Sequence, residues 1–241
     1  LLRDFAPYMT AWKGGDDLTN GARQALRSMG AGHAYLLPAD CSQEILYYRA
    51  DWVETYNEPL HQDDKVYLRN WNQLERTRDL LGDQGALAIG GKGKLSFYFD
   101  AMLWSRLGRG SMLDPAAAYF AQEEGETLFT QEGAEEVAEQ FKATFDNAAL
   151  AGCAGWTEEQ AVAAFKEGED GVLLANSSYY GELLEALPPG ALGTDGFVRD
   201  RFSGSAVTAF GFWGWGISAY TQDPGTAVHF LTYLSAADNN P

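Results

Sequence analysis

The sequence predicts an α/β fold, and three observations carry that prediction. Short apolar runs of strand length alternate along the chain with longer segments whose apolar residues recur every three to four positions. Gly and Pro punctuate the junctions between the two kinds of segment. A hydrophobic content of 46% in 241 residues supplies enough side chains for a buried core, in one large domain or two small ones, and excludes disorder as the main state.

Residues 1–30 read as two helices split at Gly14-Gly15-Asp16, and residues 34–37 as a short strand stopped by Pro38. Residues 43–49 alternate well enough for a second strand, and residues 51–56 for a helical turn. Leu68, Trp71, Leu74 and Arg78 set helical spacing over 67–81. A strand over 85–89 closes on Gly90-Gly91, and an aromatic-rich helix occupies 95–107. Ala134, Val137, Ala138, Phe141, Phe145 and Ala148 form the apolar stripe of a helix over 130–150. Thr157 followed by Gln160 fits a capping box, in which each residue satisfies an orphan backbone N–H of the other, and starts the next helix. Residues 171–175 (GVLLA) are a buried strand, 177–187 a helix, and 206–218 an extended stretch. Asp223-Pro224 makes an N-cap and first-turn pair for a last helix that turns Ala227, Val228, Leu231 and Leu234 inward.

Charge narrows the partners. With 34 acidic and 17 basic side chains the formal net charge is −17, and residues 110–241 carry 20 of the acidic groups against four basic ones. Nucleic acid is excluded as a partner, because its binding rests on Lys and Arg neutralising phosphates. No apolar run is long enough to cross a bilayer, so the chain itself is not expected to insert in a membrane. The densest acidic stretch, residues 123–139, holds seven carboxylates and no Lys or Arg, and its members within the 130–150 helix lie off the apolar stripe. A solvated outer face follows from that placement. Cys41 and Cys153 are too far apart for a C-x-x-C motif, which leaves two inert thiols or one long-range disulfide.

Several catalytic and binding patterns are absent. The Gly-rich stretch Gly90-Gly91-Lys92-Gly93-Lys94 lacks the spacing of a phosphate-binding loop and reads as a turn. There is no G-x-S-x-G elbow. His33, His61 and His229 have no neighbouring ligand spacing, so neither a metal nor a cofactor is expected. A glycoside hydrolase needs only two suitably separated carboxylates, and 34 carboxylates leave that possibility open.

Aromatic placement is the positive signal. Phe97-Tyr98-Phe99, Tyr179-Tyr180 and Phe212-Trp213-Gly214-Trp215 fall at junctions between segments. Any single aromatic is ordinarily core. Clusters just past the carboxyl end of a strand are different, since ligands of open α/β sheets sit in the crevice there. Aromatic rings stack on the apolar faces of sugar rings, and nearby Asn, Ser and carboxylate groups pair with sugar hydroxyls.

With those segments placed, their order resembles the sugar-type extracellular solute-binding proteins of ABC importers, the maltose-binding-protein-like family. Tyr35-Leu36-Leu37-Pro38 followed by Ile45-Leu46-Tyr47-Tyr48-Arg49 is similar to the family's hinge passage y-x-x-P … l-x-Y-N-k, with Tyr48 in place of the usual Asn. Trp71-Asn72-Gln73-Leu74 is similar to its T-W-[DE]-E-L helix start. Ala164-Phe165-Lys166-Glu167-Gly168 and the run from Gly171 to Tyr179 resemble a-F-x-x-G-k-a-A-M-x-x-x-G-x-W, with Tyr179 standing where the family has its sugar-stacking Trp. The run GFWGWGISA from Gly211, and then Asp223-Pro224 to Leu234, resembles the family's closing strand and helix.

The resemblance implies a periplasmic-binding-protein-like fold, a short mixed sheet flanked by many helices. Residues 1–40 would supply part of a first lobe and the hinge crossing, and 41–241 the second lobe, with further segments of a longer protein at both ends. It implies non-catalytic capture of a mono- or oligosaccharide between lobes that close on a hinge, and delivery to an ABC transporter permease. The whole protein would be a monomer, extracellular or periplasmic, and tethered as a lipoprotein. The residues expected to contact ligand are Asp40 on the hinge side, Tyr98 or Phe99, Asn176, Ser177, Ser178, Tyr179 as stacking platform, Tyr180, Phe212 and Trp213. Asp40 reads equally well as an ordinary turn residue, Trp104 as core, and Trp156 as a hydrophobic staple before the Thr157 cap. The competing class is a carbohydrate-active enzyme or a lectin-like sugar-binding domain using the same aromatics.

Overall fold

The computed structural model describes residues 1–4, 6–9, 12, 14, 33–107, 127–208 and 210–236. They group into two compact units. One holds the described residues up to Ser42 together with 210–236, and the other those from Gln43 to 208. Leu37, Ile217, Val228 and Leu231 form one buried cluster, which ties residues 210–236 to the chain's beginning within the first unit.

In the first unit, α1 (Ala6–Met9) is the described part of the expected N-terminal helices, and residues 15–32 lie outside the described set. Strand β1 (Leu37–Arg49) begins here and continues into the second unit. It is one strand of 13 residues where the sequence suggested two, because the extended backbone runs on through Pro38. The closing strand β5 (Phe210–Trp215) pairs with β1. Helix α8 (Pro224–Leu234) opens as its sequence requires, with the Asp223 carboxylate accepting from the Thr226 N–H at 3.1 Å and Pro224 in the first turn.

The second unit is a layered α/β domain. After β1 come α2 (Ala50–Asn57), α3 (Trp71–Leu81), β2 (Leu87–Ile89), α4 (Leu95–Arg106), α5 (Ala134–Ala143), α6 (Glu158–Glu167), β3 (Val172–Asn176), α7 (Tyr180–Ala186) and β4 (Leu192–Asp195). The strands lie in the order β2-β3-β1-β4, with β2 parallel to β3 and β1 antiparallel to both β3 and β4. Alternation of side chains across the pleat divides the core in two. Leu46, Leu87, Ile89, Val172 and Leu174 pack with α3, α4 and α5, while Tyr47, Ala88, Leu173 and Ala175 pack with α6 and α7. Burial on both faces explains why β2 and β3 are continuous apolar runs in sequence.

Element ends differ from the sequence reading for local reasons. Helix α3 starts at Trp71 because Asn70 and Gln73 form a reciprocal capping box, which leaves 67–70 outside the helix. Helix α5 ends at Ala143 in a single wider turn, Thr144–Ala148. Residues 177–187 divide into a tight turn, Ser177–Tyr179, and α7. The expected Thr157–Gln160 capping box is present, its Thr157 N–H donating to Gln160 Oε1 at 2.8 Å. Replacing this cap by Thr157→Ala is expected to cost about 1 kcal/mol. For a chain of this size that lowers Tm by roughly 2–4 °C in thermal denaturation, and an unchanged Tm would show that water caps the helix equally well. Glu132, Glu135, Glu136 and Glu139 are exposed, as a solvated acidic face requires. Cys41 is an exposed free thiol and Cys153 a buried one, pushed up to about 11 by its burial.

Candidate functional site

Parallel pairing puts the carboxyl ends of β2 and β3 at the same end of the sheet, and antiparallel β1 enters beside them with Glu44 in register with Asn176. Two glycines follow β2 here, and each is needed for a close approach. A Cβ on Gly90 would lie 2.6 Å from Glu158 Cα, and one on Gly91 would lie 2.5 Å from the Ala154 carbonyl oxygen. The glycine pair therefore lets the start of α6 sit against the strand end, which brings Glu158 to the same place.

Three charged residues far apart in sequence meet there. The Lys94 ammonium donates to Glu44 Oε1 at 3.0 Å and to Glu158 Oε2 at 2.7 Å. The Tyr98 hydroxyl donates to the other Glu44 oxygen at 3.3 Å, and the Asn176 N–H to the other Glu158 oxygen at 2.7 Å. The Tyr47 hydroxyl donates to the Asn176 carbonyl at 3.0 Å. Glu44 is 4% exposed, whereas the Lys94 side chain is 32% exposed, so the cluster is buried on the Glu44 side and meets solvent along Lys94.

The electrostatics follow from that burial. Desolvation, then the charge of Glu158, push the Glu44 carboxyl above its ordinary value against the pull of Lys94 and Tyr98. Burial alone would lower the Lys94 pKa, but its bond to Glu158 and the charge of Glu44 outweigh that and raise it, so Lys94 stays an ammonium. Burial and then the same two carboxylates raise the Tyr98 hydroxyl, which therefore remains a donor.

Of the residues expected at the site, Asn176, Ser177, Ser178, Tyr179 and Tyr180 surround this cluster's edge. Asn176 Oδ1 accepts from the Ser178 N–H at 3.0 Å, ordering the turn, and Ser177 Oγ accepts from the Gln43 N–H at 3.2 Å. Tyr179 is half-buried on the α6 and α7 side, and the charge of Glu158 contributes, after burial, to raising its hydroxyl. Tyr180 is exposed. Tyr98 has no exposed surface, so it holds Glu44 and presents no face for stacking. Phe99 lies elsewhere: its ring stacks on Phe129 and meets Phe141 edge-on at 5.5 Å, in the layer of α4 and α5. Trp104 is buried core, and Trp156, just before the Thr157 cap, packs on both core clusters.

Asp40 and Trp213 belong to the first unit, where both are exposed, Trp213 at 70%. Phe212 lies on β5, and its side chain is outside the described set. Glu44, Lys94 and Glu158 were not anticipated. The available signal was the glycine pair directly after a strand, with a lysine four residues beyond Gly90. Among the described residues no group of His, Cys, Asp or Glu is arranged to hold a metal ion, and no helix is long and apolar enough to cross a membrane.

Comparison with known proteins gives a consistent match. The family model for bacterial extracellular solute-binding proteins matches residues 1–241. A search of curated proteins by sequence finds no match. Among solved structures, the maltose-bound MalE3 protein of T. maritima is similar at a TM-score of 0.76 with 16% identity, over 99% of this chain and 59% of that one. A solute-binding protein of Thermotoga lettingae bound with α-D-tagatose gives a TM-score of 0.74 with 12% identity, over 99% of this chain and 58% of that one. The Thermus thermophilus maltotriose-binding protein bound with maltotriose gives 0.68 with 19% identity and the same coverage, 99% and 58%. The likeness is one of fold, and the chain spans under two thirds of the length of each.

Proposed function

The chain belongs to the bacterial extracellular solute-binding protein family, and from that premise we propose that it captures a mono- or oligosaccharide, without chemical change, for delivery to the permease of an ABC importer. The observation that carries this reading is the partly exposed Lys94 side chain, linked through Glu158 to Asn176, which leads into the Ser177–Tyr179 turn. An ammonium has three N–H donors, and two are spent on Glu44 and Glu158, which leaves one for an outside acceptor such as a sugar hydroxyl. Ser177 and Ser178 add hydroxyls that both donate and accept, and Tyr179 adds a ring against which a sugar's apolar face can stack. The sugar ligands of the similar solved structures agree with this chemistry.

Capture is favoured over hydrolysis by the same geometry. Both Glu44 oxygens are occupied by Lys94 and Tyr98 beneath the surface, so this carboxylate cannot reach a glycosidic bond. Membership of the family places the protein outside the cytoplasm. In this reading Asp40 and Trp213 are further candidate ligand contacts, and the whole protein is a lipoprotein-tethered monomer.

Thermal-shift measurement with maltose, maltotriose, raffinose and mannitol tests the proposal on this chain and on a longer form of the protein. A saccharide-dependent rise in Tm with the sugar recovered intact is expected. A response to amino acids, peptides or polyamines and to no saccharide would remove the carbohydrate reading, and recovery of hydrolysed sugar would remove the non-catalytic one. Tyr179→Ala is expected to weaken saccharide binding at least tenfold, about 1.4 kcal/mol. Unaltered affinity in that variant would take Tyr179 out of the site.

A further inference from the structure

A cavity lies between the 62–69 segment and α3, with a volume of 460 Å³, and none of its lining residues belongs to the Glu44–Lys94–Glu158 cluster. That volume is in the range of small-molecule sites. Lys65, Arg69 and Arg76 line it, against one carboxylate, Asp63. None of the three cations has an ion-pair partner among the described residues. Arg49, Arg78, Lys94, Arg106, Lys142 and Lys166, by contrast, each hold a carboxylate. The chain has two acidic side chains for every basic one, so three unpaired cations around one cavity are not explained by a shortage of partners. Glu75, close by on α3, is engaged by Gln140 at 2.7 Å.

Two of the cations are preorganised or well placed. The Arg69 N–H donates to Gln73 Oε1 at 2.9 Å, and its guanidinium lies over the Tyr67 ring, 5.5 Å from the centroid. Tyr67 is fixed in turn by a bond from Gln62. Arg69 stands immediately before the N-cap of α3, where the helix dipole adds positive potential, and Arg76 is one helical turn beyond Gln73 on the same wall. Planar guanidinium forks and a point ammonium at one cavity suit a ligand that presents several anionic oxygens at once.

We propose that this cavity binds a small polyvalent anion, of polyphosphate or polycarboxylate chemistry, independently of the saccharide site. Titration calorimetry with pyrophosphate and with citrate at low ionic strength tests it. Saturable binding is expected, weakening several-fold between about 20 and 200 mM salt as exposed charges are screened. Arg69→Gln/Arg76→Gln is expected to reduce affinity at least tenfold while saccharide-dependent stabilisation stays unchanged. Lys142→Gln/Lys166→Gln removes the same number of charges elsewhere and is expected to leave anion binding within twofold. Both cavity arginines are exposed, and each single substitution is measured with a thermal melt so that loss of binding is separated from loss of fold. Absence of saturable binding by the parent protein, or equal loss in the two double variants, would overturn the proposal. Binding of a polyglutamate peptide but of neither small anion would also overturn it, by making the cavity part of a protein-docking surface.

Discussion

Lys94→Met should lower the stability of the protein by about 3 kcal/mol, because it removes one cation from between two partly or wholly buried carboxylates. At roughly 2–4 °C per kcal/mol for a chain of this size, Tm falls by about 6–12 °C. Glu44 then faces Glu158 with no cation between them, and the only relief is for Glu44 to hold a proton. The sign of the pH dependence follows. Glu44 already binds its proton more tightly folded than unfolded, so its contribution is fully present below 4.5 and is lost as pH rises through the raised folded value. Removing Lys94 raises that value further and widens the window, so the variant loses more stability than the parent between pH 5 and 8. Lys94→Met/Glu44→Gln removes the uncompensated charge and should recover more than half of the loss. Urea denaturation at the two pH values reads all three quantities. A single variant as stable as the parent would mean that water solvates the two carboxylates as well as Lys94 pairs them.

That cluster also shows where sequence reasoning stops. Helix starts were legible because they depend on neighbours: Thr157 with Gln160, and Asp223 with Pro224, satisfy orphan backbone groups within three positions. Strands β2 and β3 were legible because burial on both faces makes them uniformly apolar. Strand β4, with the sequence LGTD, has neither apolar alternation nor β-branched enrichment, and it exists through its pairing with β1. Glu44 and Lys94 are 50 positions apart, and Lys94 and Glu158 are 64 apart, so only the pairing of β1 with β3 and the packing of α6 against Gly90 bring them together. Tyr98 and Phe99 part company for a geometric reason. Neighbours on a helix point about 100° apart, so one can face the sheet end while the other faces α5. Asn176 to Tyr180 lie beside the cluster because they follow a strand end directly, where chain direction alone fixes the location.

The opposite end of β3 carries a different burial problem, and its consequence is a second pH effect. Asp170 has no exposed surface, and neither carboxyl oxygen has a hydrogen-bond partner of good geometry. Burial and then the charge of Glu169 push it up to about 8, against the pull of the Val172 amide, from an ordinary value of 3.8. Between those two values the folded protein keeps a proton that the unfolded chain has released. Stability therefore falls as pH rises through this window, and the loss is complete above about 8. At about 1.4 kcal/mol per unit the full window corresponds to several kcal/mol. Asp170→Asn is neutral at every pH and nearly isosteric, so it should flatten that part of the profile. At pH 9 the variant is expected to exceed the parent by about 3 kcal/mol, roughly 6–12 °C in Tm. At pH 4 the advantage should vanish or reverse, since the parent then carries an uncharged acid and the variant a buried amide with its own unmet hydrogen bonds. Thermal melts of both proteins from pH 4 to 9 measure the difference directly, and parallel profiles would show that Asp170 is ionised in the folded state. Because β3 separates this residue from the Asn176 end, saccharide-dependent stabilisation should be the same in the variant. Loss of that response in Asp170→Asn would mean that the ends of the strand are coupled, and that the charge at Asp170 is felt at the site.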